Sequence, residues 1–224
     1  MYLIDNQYLI IYESATSWII NKVINDHGEL HNRVTQRIGL QLFTLKECGM
    51  FAQSKGLEMN RNQIAECYMV LGGIPFYWNL LEKGLGLAQN IDKIFFAKNG
   101  KLANEFNLLY ALLFKSPEQY IDVVTALGRK KVGMTREEII TTIDKPSNGA
   151  LSKVLDELEY CGFIRKNSSY GKKTKLAIYQ LIDNYTLFYF KFIQQNKNND
   201  EHFWSAFRVN DRNGWVGIIE IYIV

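Results

Sequence analysis

Residues 135–166, TREEIITTIDKPSNGALSKVLDELEYCGFIRK, constrain this chain more than any other segment. Thr135 and Glu138 occupy the first and last positions of a capping box, in which each residue satisfies the other's free backbone N–H. Ile139, Ile140 and Ile143 then recur on one helical side. Asp144-Lys-Pro-Ser breaks that helix, and Ser147 or Asn148 can cap the next. Its core face is Leu151, Val154, Leu155 and Leu158, and Gly162 stops it before the apolar start of FIRKN.

A third helix precedes these two. Ser116-Pro117-Glu118-Gln119 is a helix start, with Ser as cap and Pro pre-set for the first turn. Tyr120, Val123, Val124 and Leu127 form its buried side. After the tight turn, FIRKN and KLAIYQLID read as two strands joined by the basic loop SSYGKK. Three helices and a two-stranded wing make a winged helix-turn-helix over residues 116–182.

Upstream, residues 8–12 (YLIIY) read as a short strand buried on both faces. Trp18, Ile19, Val23 and Ile24 can line one side of a helix. A strand end is expected at residues 38–42, then a short helix from Thr44, whose T-L-K-E fits a capping box. From Asn60 the period becomes helical, with Ile64, Tyr68 and Leu71 on one side and a stop at Gly72-Gly73. A helix is expected over residues 76–83, and Leu102, Phe106, Leu109 and Leu113 line another.

With 224 residues, 47% hydrophobic, the chain can bury a large core. Its net charge of +3 is too small to argue for nucleic acid by itself, so any basic patch must be local. Asp5 and Asn6 interrupt the first apolar run, and Lys191 breaks TLFYFKFI, which is too short for a bilayer. A cytoplasmic location without membrane contact is expected. Cys48, Cys67 and Cys161 lack zinc-site spacing and read as buried thiols. His27 and His31 are one helical turn apart, but Gly28 lies between them and no third ligand is evident, so no metal is expected. Residues 83–90, KGLGLAQN, follow no strand and read as a turn; Asp92 and Asp183 show no partner. The phosphate-cradling loop G-x-x-x-x-G-K-[ST] is absent, as is an apolar strand ending in paired acids that would hold magnesium.

SATSWIINKV, HNRVTQRIGLQLFTLKEC, LGGIPFYW, the winged helix, and YQLIDNYTLFYFKFI with DEHFWSAF resemble, in that order, the archaeal and bacterial P-loop ATPases of the AAA/STAND group. Those proteins carry an ATPase core, a helical lid, a winged helix and a C-terminal restriction-endonuclease-like domain. The resemblance implies a mainly α fold with small β content: a remnant of an α/β ATPase core over residues 1–58, a helical lid over 59–115, the winged helix over 116–182 and a C-terminal stub over 183–224. It puts Ser14 at the sensor end of an ATPase strand, although Glu13 beside a phosphate would be repulsive. It puts Arg33 near nucleotide, and Gly73 and Pro75 of GGIP beside adenine. The matched portion lacks the P-loop and most of the C-terminal domain. ATP and magnesium, cofactors of the full-length family, are therefore not expected on this chain, nor is ATP hydrolysis by it alone.

The charge pattern divides the DNA-contact candidates. On the second helix they are Ser147, Asn148, Ser152 and Lys153. Residues 147–162 hold one cation against Asp156, Glu157 and Glu159, a net of 1 − 3 = −2, unless those acids face away from a partner. In the wing, Arg165, Lys166, Lys172, Lys173 and Lys175 are cations with no acid among them, and Arg129, Lys130 and Lys131 form a second basic cluster. The expected function is that of an ATPase-family fragment with weak, backbone-led DNA binding. Its alternative partners are the missing ATPase part or another protein; the other reading is a stand-alone winged-helix transcriptional regulator.

Overall fold

The computed structural model describes residues 41–144, 149–167 and 177–210, which belong to one compact unit. The described residues are mainly helical with a small antiparallel sheet. The expected strand at 8–12, the helix around Trp18 and the tail beyond residue 210 lie outside them, as do His27 and His31.

Helix α1 (Leu45–Ser54) starts at Thr44, whose hydroxyl accepts the Glu47 N–H while the Glu47 carboxylate accepts the Thr44 N–H at 2.8 Å. Gln41 and Leu42, the described part of the strand expected at 38–42, are not in a strand. Helix α2 (Arg61–Leu71) has a second capping box, between Asn60 and Gln63, and ends at Gly72. Its most buried side is Glu66, Cys67, Val70 and Leu71; Ile64 and Tyr68 are half-buried. Helix α3 (Pro75–Asn79) stops well short of the expected residue 83. Trp78 anchors it, donating its indole N–H to the Gly72 carbonyl at 2.7 Å.

The turn expected at 83–90 ends earlier. Helix α4 (Leu87–Ile91) begins within it and continues as a π-helical turn, Asp92–Phe96. Asn90 explains the change: its side chain accepts from Glu82 N–H and donates to the Glu82 and Leu85 carbonyls, fastening the glycine-rich turn to the helix. Helix α5 (Glu105–Leu113) buries Phe106 and Tyr110.

Helix α6 (Pro117–Gly128) buries Tyr120, Val123, Val124 and Leu127 as its spacing predicts, although the Ser116 side chain makes no capping bond. Strand β1 (Met134–Thr135) runs directly into α7 (Arg136–Ile143), and the Thr135–Glu138 capping box is present. Asp144 ends α7 in the left-handed region, φ 50°. Helix α8 (Gly149–Tyr160) buries the four expected aliphatic residues. Each contributes about 1.5–3 kcal/mol when fully removed from water. Strands β2 (Ile164–Asn167) and β3 (Ile178–Leu181) complete a sheet ordered β1-β3-β2, antiparallel throughout. The two-residue β1 is not evident in the sequence.

Helix α9 (Asn184–Phe188) continues as a second π-helical turn, Tyr189–Ile193, and α10 spans Phe203–Asn210. These elements do not stand apart from residues 59–115. Asn184 donates to the Tyr68 carbonyl at 2.9 Å, Tyr185 stacks with Phe95, and Phe106 stacks on Tyr189 at 4.0 Å between centroids. The two acids without evident partners have them here. Asp92 accepts the N–H groups of Trp204 and Ser205 at the start of α10, and Asp183 caps α9 through Thr186 N–H. Tyr110 against Phe163, and Phe114 stacked on Tyr120, carry the core across residue 116.

Candidate nucleic-acid interface

Helix α8 has one apolar side, so the side facing solvent is fixed. Opposite Leu151, Val154, Leu155 and Leu158, helical spacing lines up Gly149, Lys153, Asp156 and Tyr160, all exposed. Ser152 lies on the flank, its hydroxyl 3.5 Å from the Arg136 guanidinium. Glu157 is not on the outward stripe. It accepts a hydrogen bond from the Tyr120 hydroxyl on α6, and Lys153 Nζ is 3.9 Å away. Burial and the Glu157 carboxylate together push the Tyr120 phenol above its ordinary range. The suggestion that the acids face away therefore holds for Glu157 and fails for Asp156, which sits between Lys153 and Tyr160. That stripe carries one positive and one negative charge, a poor match to a polyanion.

The sheet is different. Paired residues share a face, so Ile164, Leu181, Tyr179 and Met134 point into the core, while Arg165, Gln180, Asn167, Ile178 and Thr135 form the outer face. Arg165 donates to the Gln180 carbonyl oxygen Oε1 at 2.7 Å, and Gln180 Nε2 donates to the Lys131 backbone carbonyl at 3.0 Å. Lys166 lies at the rim of the other face, its Nζ 5.6 Å from the Tyr179 ring centroid.

The turn between α6 and β1 reaches β3 because residue 133 is glycine. Gly133 has φ +85°, and a Cβ there would stand 2.5 Å from the Tyr179 carbonyl oxygen. The second basic cluster is thereby brought against the wing strands. Within it Lys130 is committed to Glu138 at 2.5 Å. This bond, with the Thr135 N–H, holds the Glu138 carboxyl at about 2. Among the described residues no acid forms an ion pair with Arg129, Lys131 or Arg165.

Ser147, Asn148, Lys172, Lys173 and Lys175 lie outside the described residues, as do Ser14 and Arg33. Gly73 and Pro75 are not brought to these basic residues. The space a Gly73 side chain would need is taken by backbone, the Phe43 carbonyl oxygen standing 2.1 Å from an ideal Cβ, and Phe43 N–H donates to the Gly73 carbonyl. Pro75 is exposed at the start of α3. An open cleft of about 340 Å³ lies elsewhere, lined by Leu57, Met59, Gln63, Lys83 and Asn90 among others, and neither residue borders it.

Cys48 and Cys67 are buried, and Cys161 is half-buried. Burial pushes the Cys48 thiol up to about 11. Among the described residues no group of three or more His, Cys, Asp or Glu could hold a metal ion, and no helix is long and apolar enough to cross a membrane. Charge patterning points to Arg165 and Lys166, but the bridging role of Gln180 has no signal in the sequence: only the register Arg165↔Gln180 reveals it. Searches against protein-family models, curated proteins and solved structures find no match to this chain.

Proposed function

We propose that residues 116–182 form a winged-helix module that binds duplex DNA weakly, through its backbone phosphates, with the wing leading and little base readout. The order of elements supports this reading: helix, short strand, two helices, then two strands in a β1-β3-β2 sheet. The observation that carries it is the division of charge. The outer sheet face and the adjoining turn present Arg129, Lys131 and Arg165 with no acidic partner among the described residues, while the outward stripe of α8 balances Lys153 with Asp156. Contacts to phosphate position a protein without reading sequence. A gel-shift titration of a labelled duplex at low salt tests the reading. Binding is expected from the full chain and much weaker binding from the triple variant Lys172→Ala, Lys173→Ala, Lys175→Ala. No shift by the full chain overturns it.

A second reading makes the module one part of a larger protein of the AAA/STAND ATPase kind, and one observation favours an embedded module over a free-standing one. The ring contacts Tyr110–Phe163 and Phe114–Tyr120 bind the module to helices on its N-terminal side. In this reading ATP and magnesium belong to the ATPase part, and the purified chain shows no ATP turnover. Turnover that co-purifies with the chain and resists removal of contaminants would contradict it.

A further inference from the structure

We infer that Gln180 is a positioning residue for DNA binding, holding Arg165 and the α6–β1 turn together as a second phosphate-contacting patch on the outer face of the sheet. The inference rests on the DNA-binding reading above and extends it from the wing loop to the sheet. Gln180 is 7% exposed on the central strand, and both ends of its amide are used. Its oxygen must face Arg165, which can only donate, and its nitrogen must face the Lys131 carbonyl, which can only accept. The orientation of the amide is thus fixed by its neighbours.

A buried amide satisfied at both ends restrains the guanidinium of Arg165 while engaging only part of its five-donor fork, so the remainder is free for phosphate. The same amide ties down the turn bearing Arg129 and Lys131, both exposed. Gly133 makes this possible by letting the turn pass against Tyr179 and Ile178. The turn itself holds no acid, and of the two acids in the first turn of α7, Glu137 and Glu138, the second is paired with Lys130. A flexible arginine loses side-chain entropy on binding; one held beforehand loses less.

The test is a double-mutant cycle with the full chain and a labelled duplex over a range of salt. Arg165→Ala is expected to lower the slope of log affinity against log salt by about one, the signature of one lost phosphate contact. Gln180→Met, close in shape but without the amide, is expected to weaken binding, and the double variant to lose less than the sum of the two single losses, the remainder being the turn's share. Independent, additive losses overturn the positioning role. Arg165 is exposed, so its alanine variant reports even if Gln180→Met fails to fold; an unchanged slope in Arg165→Ala overturns the patch. If the full chain binds but Arg165→Ala is unaffected while the wing lysine variant is, only this inference fails. If the full chain does not bind, both fail.

Discussion

Two halves of this molecule are built from different side chains. Residues 61–113 with 184–210 are held by rings: Trp78, Phe95, Phe96, Phe106, Tyr110, Tyr185, Phe188, Phe192 and Trp204 are all buried. Residues 117–181 are held mostly by aliphatic side chains: Val123, Val124, Leu127, Ile139, Leu151, Val154, Leu155, Leu158, Ile164 and Leu181. The aromatic half joins segments about a hundred positions apart, and Asp92 and Asn184 make the polar ties between them. The aliphatic half is made of amphipathic helices, each with one side free. Its charged surface is therefore patterned, and it is where a binding face can be read.

The largest expected effect lies among the rings. Trp204→Ala should cost about 3–5 kcal/mol in denaturant unfolding, since the indole is fully buried against Phe188, Phe192 and Phe207. A finer comparison separates the two buried tryptophans. The Trp78 indole N–H donates to the Gly72 carbonyl, whereas that of Trp204 has no hydrogen-bond partner among the described residues. Trp78→Phe should therefore cost more than Trp204→Phe, by about 1–3 kcal/mol. Equal costs would remove the distinction. In the aliphatic half, Leu158→Ala should cost about 2–5 kcal/mol, and Thr135→Ala, which removes the α7 cap, about 1 kcal/mol. By contrast the triple wing lysine variant should unfold within about 0.5 kcal/mol of the parent while binding DNA much more weakly; a large destabilisation would assign the wing a structural role.

The halves should also differ in the sign of their response to acid. Burial raises the Glu105 carboxyl, although the Tyr77 hydroxyl donates to it at 2.8 Å. The folded form thus takes its proton at higher pH than the unfolded chain, and acidification through that range favours folding. Glu138 is the reverse. Held at about 2 against an ordinary 4.5, its contribution is complete above 4.5 and is lost as pH falls toward 2. Following unfolding against pH in Glu105→Gln and Glu138→Gln checks this. The first should remove a gain on mild acidification, the second a loss at stronger acid.

The same contrast explains what the sequence made legible. In α6 and α8 every buried position named from spacing is buried, because one-sided helices announce their core side locally. The aromatic half gave no such signal. Asp92 reads as a lone acid until Trp204 and Ser205 reach it from more than 110 residues away, and Asn90 reads as part of a loop although it lies within α4 and fastens the preceding turn to it. The helix expected over residues 76–83 ends at Asn79, where Leu80 and Leu81 leave it to pack in the core cluster. At the candidate interface, Arg165 and Lys166 were legible as charge. Gln180 was not, because its role depends on strand register and on a glycine-permitted turn.

The most direct measurement is the salt dependence of binding to labelled duplexes of unrelated sequence. A backbone-led wing predicts log affinity falling linearly with log salt, with one slope for every duplex, and a slope shallower by about 2.7 in the triple lysine variant. Absence of binding at low salt, a slope unchanged by the variant, or strong preference for one sequence would contradict it.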